Sequence, residues 1–496
     1  MMTRYRCNVC NTFEYDTRRG NSLTRIKPGT EPEDFPEDWK CPICSSDKTH
    51  LKPIRDEEKA PGETKVFTCP VCGARTEVSV THLDHKDLEG YLGEWTRRSD
   101  DLEVWMADIH AISASGESLI EPMRTKLPVV SWDDILIKGA QIARLPLNED
   151  VPVTTRTIIG PAAKQPLVIE TPIYVTHMSF GALSREVKIA LAKGSAAVGT
   201  AMGSGEGGML PEAREHAYRY ILEYVPNRYS ITEENLRAAD AVEIKLGQSA
   251  EPGMGARLPA EKVTPEIARV RGYPEGTDIV SPATFEDIRN RDDLKAKVDW
   301  LREVSGGRPI GIKIAAGDIE DDLDALLYAG PDFITLDGRP GATAAAPKYV
   351  KAATSVPTIY ALFRARRHLD RRGAKDVSLV VTGGLRISSD FAKALALGAD
   401  AVAIGSAALM ACACQQYRLC ATGACPVGVT TQDPELRKRL KAEISAKKLE
   451  NYLRVSTEEL KQFTCLTGNS DVHALGIRHI CTTNSEISNH TDIPHV

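Results

Sequence analysis

The chain has 496 residues, with 62 Lys and Arg against 68 Asp and Glu, a formal net charge of −6, and it is 42% hydrophobic and 26% charged. Such a chain can bury a sizeable core in two to four domains, or in one large domain with appendages. It lacks the basic excess that a dedicated nucleic-acid surface needs, and its longest charge-free apolar run, Ala401–Cys414, is too short to span a bilayer. The opening MMTRYRCNVC has no apolar stretch of a secretory signal, so a cytoplasmic protein is expected, in which grouped cysteines are metal or redox ligands rather than disulfides.

Residues 1–54 form a cysteine module with CxxC pairs at Cys7/Cys10 and Cys41/Cys44. Two such pairs can close a tetrahedral four-thiolate site. A structural zinc ribbon is the plain alternative, but the thirty residues between Cys10 and Cys41 exceed a usual ribbon spacer. Phe13, Tyr15, Phe35 and Trp39 between them could pack over the metal. The module resembles rubredoxin in Tyr5-x-Cys7, Glu14-Tyr15-Asp16, Ile26-x-Pro28-Gly29-Thr30 and Glu33-Asp34-Phe35-Pro36-Glu37-Asp38-Trp39-x-Cys41-Pro42-x-Cys44, departing at Asn11, where rubredoxins usually have Gly. The resemblance implies a mononuclear iron passing single electrons.

Residues 55–90 read as a linker holding a third pair, Cys69 and Cys72, which could bind zinc with His82 and His85 or with remote cysteines, or hold no metal. Residues 91–170 read as an N-terminal extension. From 171 to 411, apolar runs ending in Gly, Ser, Lys or Asp alternate with helical patterns. The strand candidates are 173–181, 198–208, 241–247, 309–317, 333–341, 357–363, 377–384 and 401–406. Eight strand–helix units in that length predict a (β/α)8 TIM barrel, an α/β fold whose chemistry sits at the C-terminal ends of the strands. Phosphate is often held after the last two strands, where this chain has Gly383-Gly384 and Gly405-Ser406. Phosphate-binding glycines with redox-type cysteines point towards FMN.

Residues 412–496 open with four cysteines in fourteen positions, CACQQYRLCATGAC from Cys412 to Cys425. Here the sequence resembles the FMN-binding synthase domain of glutamate synthase, particularly the archaeal-type form. The resemblance is carried by THMSFGALSREVKIALAKG (176–194), GSGEGGMLPE (203–212), ADAVEIKLGQSAEPGMGARLP (239–259), EKVTPEIARVRG (261–272), TLDGRPGATAAAP (335–347) and CATGACPVGVTTQDPELR (420–437). It implies a 3Fe-4S cluster on Cys414, Cys420 and Cys425, with Cys412 either a buried thiol or a fourth ligand. It further implies an oxidoreductase acting on CH-NH2 donors. 2-Oxoglutarate and ammonia would condense to 2-iminoglutarate, which reduced FMN converts to L-glutamate.

In that reading Met178, Ser179, Phe180 and Gly181 cover the flavin ring, and Gly383, Gly384, Gly405 and Ser406 hold its phosphate. Lys313 faces the flavin and stabilises its reduced form, while Lys245 and Gln248, taken to follow strand three, face flavin and substrate. Glu206 positions ammonia or moves a proton. Arg257, Arg269 and Arg271 are candidates for the substrate carboxylates. The chain departs from the family at Glu251, usually Lys, at Arg257, usually Gln or His, in the loop Ser281–Ile288, and at Thr382 before the glycine pair. No glutaminase domain or dinucleotide motif is evident, so ammonia from solution or a separate glutaminase subunit is expected, with electrons from a ferredoxin or separate reductase. A homo-oligomer is also expected. The competing readings are an N-methylglutamate synthase-like enzyme of the same family and an electron-transfer flavoprotein component.

Overall fold

A computed structural model describes residues 4–10, 13–21, 23–54, 63–68, 75–80, 97 and 99–496. Cys69, Cys72, His82 and His85 lie outside the described residues, as does Asn11. The chain divides into two compact units, Met1–Ile120 and Glu121–Val496. The division falls inside the stretch expected to be one N-terminal extension. No helix among the described residues is long and apolar enough to cross a membrane.

The first unit holds a three-stranded antiparallel sheet, with Arg4–Cys7 between Glu14–Asp16 and Leu51–Ile54. Cys7 ends the central strand with Cys10 on the turn that follows, and Cys41 and Cys44 bracket a second turn. Its small core is aromatic. Phe35 packs edge-on to Tyr15 at 4.8 Å and tilted against Trp39 at 5.1 Å, and Trp39 meets Phe13 at 5.8 Å. The Tyr15 hydroxyl donates to the Thr30 carbonyl at 2.5 Å, so a buried polar atom is satisfied. A second hairpin pairs Glu63–Thr68 with Arg75–Val80, and a helix at Met106–Ser115 stops at Gly116, whose φ of +68° suits glycine.

The second unit is a closed parallel barrel. Its strands are β1 (Ile173–Val175), β2 (Ala201–Gly203), β3 (Arg219–Tyr224), β4 (Ala241–Lys245), β5 (Ile310–Ala315), β6 (Phe333–Asp337), β7 (Ser378–Thr382) and β8 (Ala401–Ile404). Helices follow in turn: α1 (Arg185–Ala196), α2 (Pro211–His216), α3 (Glu233–Ala238), α4 (Arg291–Val304), α5 (Ile319–Ala329), α6 (Thr358–Arg371), α7 (Ser388–Ala396) and α8 (Ser406–Cys412). Strand residues are almost all buried because helices cover the outside and side chains fill the inside.

Two strand assignments from sequence are corrected. The run 357–363 opens α6 instead: Pro357 precedes the helix, and Ile359, Leu362 and Leu369 fall on its buried face at helical spacing. The missing strand is β3, RYILEY, in which Arg219 and a buried Glu223 broke the apolar run. Lys245 therefore ends the fourth strand, not the third.

The C-terminal segment is packed on the barrel. Helix α9 (Ala442–Leu466) lies along α1 so closely that a Cβ at Gly194 would meet the Ala446 carbonyl and Leu449 Cβ, each at 2.8 Å. In α1, the fully buried Lys188 donates to the carbonyls of Met178 (2.9 Å), Gly203 (3.3 Å) and Ser204 (2.7 Å). One ammonium thereby joins the loops that follow β1 and β2. Burial pulls its pKa down to about 7, although three carbonyl acceptors favour the charged form. Lys188→Met is expected to strand these acceptors and to destabilise the barrel by roughly 2–5 kcal/mol, each unsatisfied buried group costing about 1–3 kcal/mol. A lower urea midpoint at unchanged m-value would show it.

Candidate active site

Iron suits the first unit's cysteines. The four sulfurs of Cys7, Cys10, Cys41 and Cys44 lie within 4.8 Å of one another, all buried. Cys7 Sγ is 3.7 Å from Cys44 Sγ, Cys10 Sγ is 3.9 Å from Cys41 Sγ, and the Ser46 hydroxyl approaches Cys7 and Cys44 at 3.3 and 3.2 Å. Four sulfurs this close can share one ion, whose charge offsets the mutual repulsion of the thiolates, which suits a tetrahedral thiolate centre.

At the C-terminal end of the barrel a cavity of about 570 Å³ opens. Its walls bring together Met178 and Ser179 after β1, Glu206 after β2, Lys245, Gln248, Arg257 and Arg271 at and after the end of β4, and Lys313 on β5. Gly383, Gly384, Gly405 and Ser406 from the last two strand ends, and Cys414, Cys420 and Cys425 from the following loop, complete them. Phe180, Gly181 and Arg269 are not among the lining residues. The Phe180 side chain is buried in the core, and Arg269 is exposed on the helix Pro265–Arg271. Arg271, on the same helix, is buried and turns inward. It donates to the Phe180 carbonyl at 2.8 Å and stacks over Tyr229 at 5.1 Å, so it fastens the β1 loop.

The glycine pair after β7 is backbone by necessity. Gly383 and Gly384 have φ of +112° and +88°. A Cβ on Gly383 would come within 2.1 Å of the Gly338 carbonyl, and one on Gly384 within 2.7 Å of the Pro340 ring. Such close backbone suits an anion, as does the start of α8 at Gly405–Ser406.

Charged groups in the cavity are paired. Lys245 Nζ is 2.6 Å from Glu206 Oε2, and the Ser281 hydroxyl donates to the other oxygen. Burial opposes ionisation of Glu206, but Lys245 and Ser281 outweigh it and hold the carboxyl below its usual pKa. Lys313 Nζ lies 3.6 Å from Asp337 Oδ2, whose Oδ1 accepts from Ser249 at 2.9 Å. Glu251 differs: burial raises its pKa even though it accepts from Gln248 (2.8 Å) and Thr343 (3.0 Å).

The cysteine loop is bonded to the β1 loop. The Ser184 hydroxyl donates to the Gly428 carbonyl at 2.6 Å, the Ser184 N–H to Val429 at 2.9 Å, and the Gln432 amide to Gly181 and Leu183, each at 3.0 Å. The Lys262 ammonium donates to the Cys420 carbonyl at 2.6 Å, placing positive charge beside the thiols. Cys412 stands apart: it is 1% exposed, packs in the hydrophobic core and does not line the cavity. Burial pushes its thiol up to about 12, as it pushes that of Cys420 up to about 11.

Sequence reasoning missed His177, Glu223 and Glu243. His177 and Glu223 line the cavity, and all three converge beneath it. Glu243 carried a signal, since a charge two residues before Lys245 on one strand shares its face. Glu223 lay on the unrecognised β3.

The conserved region of glutamate synthase matches residues 129–470, and rubredoxin matches residues 4–51. The chain belongs to the glutamate synthase family. A glutamate synthase large subunit-like protein of Rhizobium meliloti is 37% identical over 409 residues, covering 78% of this chain and 92% of that one. An archaeal-type glutamate synthase (NADPH) of Dehalococcoides mccartyi is 37% identical over 459 residues, covering 88% and 90%. Among solved structures, a mutant flavocytochrome b2 with benzoylformate is similar at TM-score 0.45 and 17% identity, covering 70% of this chain and 76% of that one.

This family member thus joins a rubredoxin domain to its synthase barrel in one chain. Cys41→Ser is expected to remove a thiolate from the rubredoxin site and to abolish its iron-thiolate absorption, lowering iron by about one atom per chain. Metal analysis with visible spectroscopy of anaerobic protein measures both.

Proposed function

We propose that the chain reductively synthesises L-glutamate from 2-oxoglutarate and ammonia, in a barrel that holds FMN beside a 3Fe-4S cluster. The observation that carries this reading is a single cavity lined by an anion-suited glycine cradle, buried lysine–carboxylate pairs and three cysteines. The cradle fits the flavin phosphate through Gly383, Gly384, Gly405 and Ser406, with Met178 and Ser179 along the ring. Cys414, Cys420 and Cys425, which line the cavity next to Lys262, supply the thiolates a cluster needs. Bound FMN would supply hydride to the imine carbon.

The residues do the rest. Ammonia adds to the keto carbon and water leaves, giving 2-iminoglutarate. A hydride to carbon and a proton to nitrogen complete glutamate. Lys245, kept charged by Glu206, orients substrate oxygen. Glu206 faces the amine. Glu251, whose pKa is raised, is the carboxyl suited to carry the proton. Lys313, which lines the cavity, would stabilise negative charge on a reduced flavin held there. Arg257, exposed on the cavity rim, receives the distal carboxylate.

Electrons enter through the rubredoxin domain from a ferredoxin-like carrier or a separate reductase, although archaeal-type relatives carry NADPH in their names. Ammonia comes from solution or a separate glutaminase. The setting is cytoplasmic and the assembly a homo-oligomer. A second reading keeps the cofactors and changes the acceptor. Glu251 and Arg257 favour it, because they alter the charge pattern where a keto acid would bind.

Anaerobic holoprotein given a reduced carrier, 2-oxoglutarate and ammonium should form L-glutamate. Turnover only with methylamine or another keto acid supports the second reading, and bleaching without any product overturns both. Lys245→Met should lower kcat/KM roughly 100-fold, the scale of removing one preorganised polar contact. Gly383→Ala should purify largely without flavin while the rubredoxin absorption persists.

A further inference from the structure

The loop that carries Cys414, Cys420 and Cys425 packs against a lysine without a part in the proposed reaction. Lys262 closes the short turn Ala260–Lys262 and is 7% exposed. Its ammonium donates to the Cys420 carbonyl at 2.6 Å. Gly423 makes room for it: a Cβ there would sit 3.0 Å from Lys262 Cε, and a φ of +73° suits glycine. The carbonyl and the sulfur belong to one residue, so the ammonium sits within a residue's width of a ligand sulfur. Burial pulls the Lys262 pKa down, against the negative charge of Cys420 and Cys425 and, less, of Glu261.

The other polar groups turned to these sulfurs are donors too. Gln416 brings its backbone N–H to 3.4 Å and its side-chain amide to 3.5 Å from Cys414 Sγ. Burial raises the Cys420 thiol, and the Thr430 hydroxyl beside it works against that. This hydroxyl is buried and completes no hydrogen bond among the described residues. A buried donor left open is costly, and a cluster sulfur would accept from it. Met123 covers the same cysteine, its Sδ 3.9 Å from Cys420 Sγ. The buried Lys351 holds that cover by donating to the Pro122 and Met123 carbonyls, each at 3.1 Å.

Reduction by one electron adds one negative charge to a thiolate-held cluster. Cations and hydrogen-bond donors near its sulfurs favour the reduced form, most strongly where burial excludes water. We propose that Lys262 sets the reduction potential of the cluster on Cys414, Cys420 and Cys425, by fixing a positive charge at Cys420 that favours the reduced form. The inference rests on the reading that these cysteines hold an iron–sulfur cluster. Lys262 does not line the cavity, so it acts through Cys420 and not on the substrate.

Anaerobic holoprotein titrated with dithionite and redox mediators tests this, with the cluster followed by electron-spin resonance and the rubredoxin iron by visible absorption. Lys262→Gln keeps a donor for the Cys420 carbonyl and removes the charge, whereas Lys262→Arg keeps the charge. At the potential that half-reduces the parent's cluster, Lys262→Gln should lower the reduced-to-oxidised ratio roughly tenfold, the low end of what one neighbouring charge does to an ionisation. For one electron that is about 59 mV. Lys262→Met, neutral and without the hydrogen bond, should shift at least as far. Lys262→Arg should stay near the parent, and the rubredoxin midpoint should be the same in all four proteins. An unchanged cluster potential in the neutral variants, or an equal shift in Lys262→Arg, overturns the inference while the cluster reading stands. Iron at one atom per chain in the parent, with no cluster signal, overturns the cluster reading and this inference with it.

Discussion

The loop after β1 is the part on which the site depends, and it is held from two directions. Lys188 grips it through the Met178 carbonyl, with the loop after β2 held by the same ammonium. The segment 428–432 grips it through Ser184 and Gln432. A fully buried ammonium is tolerable only where its donors are satisfied, so Lys188 fixes the spacing of those carbonyls narrowly. The glycines at 203 and 205 then follow as consequences. A side chain at 205 would fall 2.2 Å from the Met178 carbonyl carbon.

Charge is sorted within the cavity by distance. The Lys245–Glu206 pair at 2.6 Å is tight enough to overcome the desolvation of both partners, raising the lysine's pKa and lowering the glutamate's. A depressed carboxyl adds stability above its unfolded pKa and loses it as pH falls through the folded value, so this pair resists dissociation at neutral pH. Under the proposed reaction, proton traffic would pass instead to a group that is buried but poorly compensated. Glu251 meets that description, having amide and hydroxyl donors rather than a cation at hydrogen-bond distance.

Much of this arrangement was legible in the residues. The rubredoxin module declared itself because four thiolates and an aromatic core leave little freedom in sequence. The barrel was legible from its rhythm, and the cavity lining from glycines and lysines at strand ends. Errors came where local pattern and burial part company. PTIYALF has a strand's composition but packs as a helix, since α6 needs one apolar face and the run supplies it at 359 and 362. RYILEY carries Arg219 and Glu223, of which Glu223 is buried and turned towards His177. Arg269 and Arg271 look alike in sequence, yet two positions along a helix point about 200° apart, so one is exposed and the other buried. No single-sequence signal shows that Cys412 falls on the buried side of α8 while its neighbours in the motif reach the cavity.

Ligand chemistry also separates the metal-suited regions. Cys7, Cys10, Cys41 and Cys44 offer only sulfur, close enough together for one ion. Cys414, Cys420 and Cys425 offer sulfur at the cavity, with the Lys262 ammonium on the Cys420 carbonyl, where the proposed function seats a cluster. His177, Glu223 and Glu243 are no third region: the Gly205 N–H on Nδ1 leaves the ring proton on Nε2, 3.0 Å from Glu243 as an ordinary histidine–carboxylate pair. Soft thiolates delocalise charge and tolerate one-electron change, so both sulfur regions suit electron carriers.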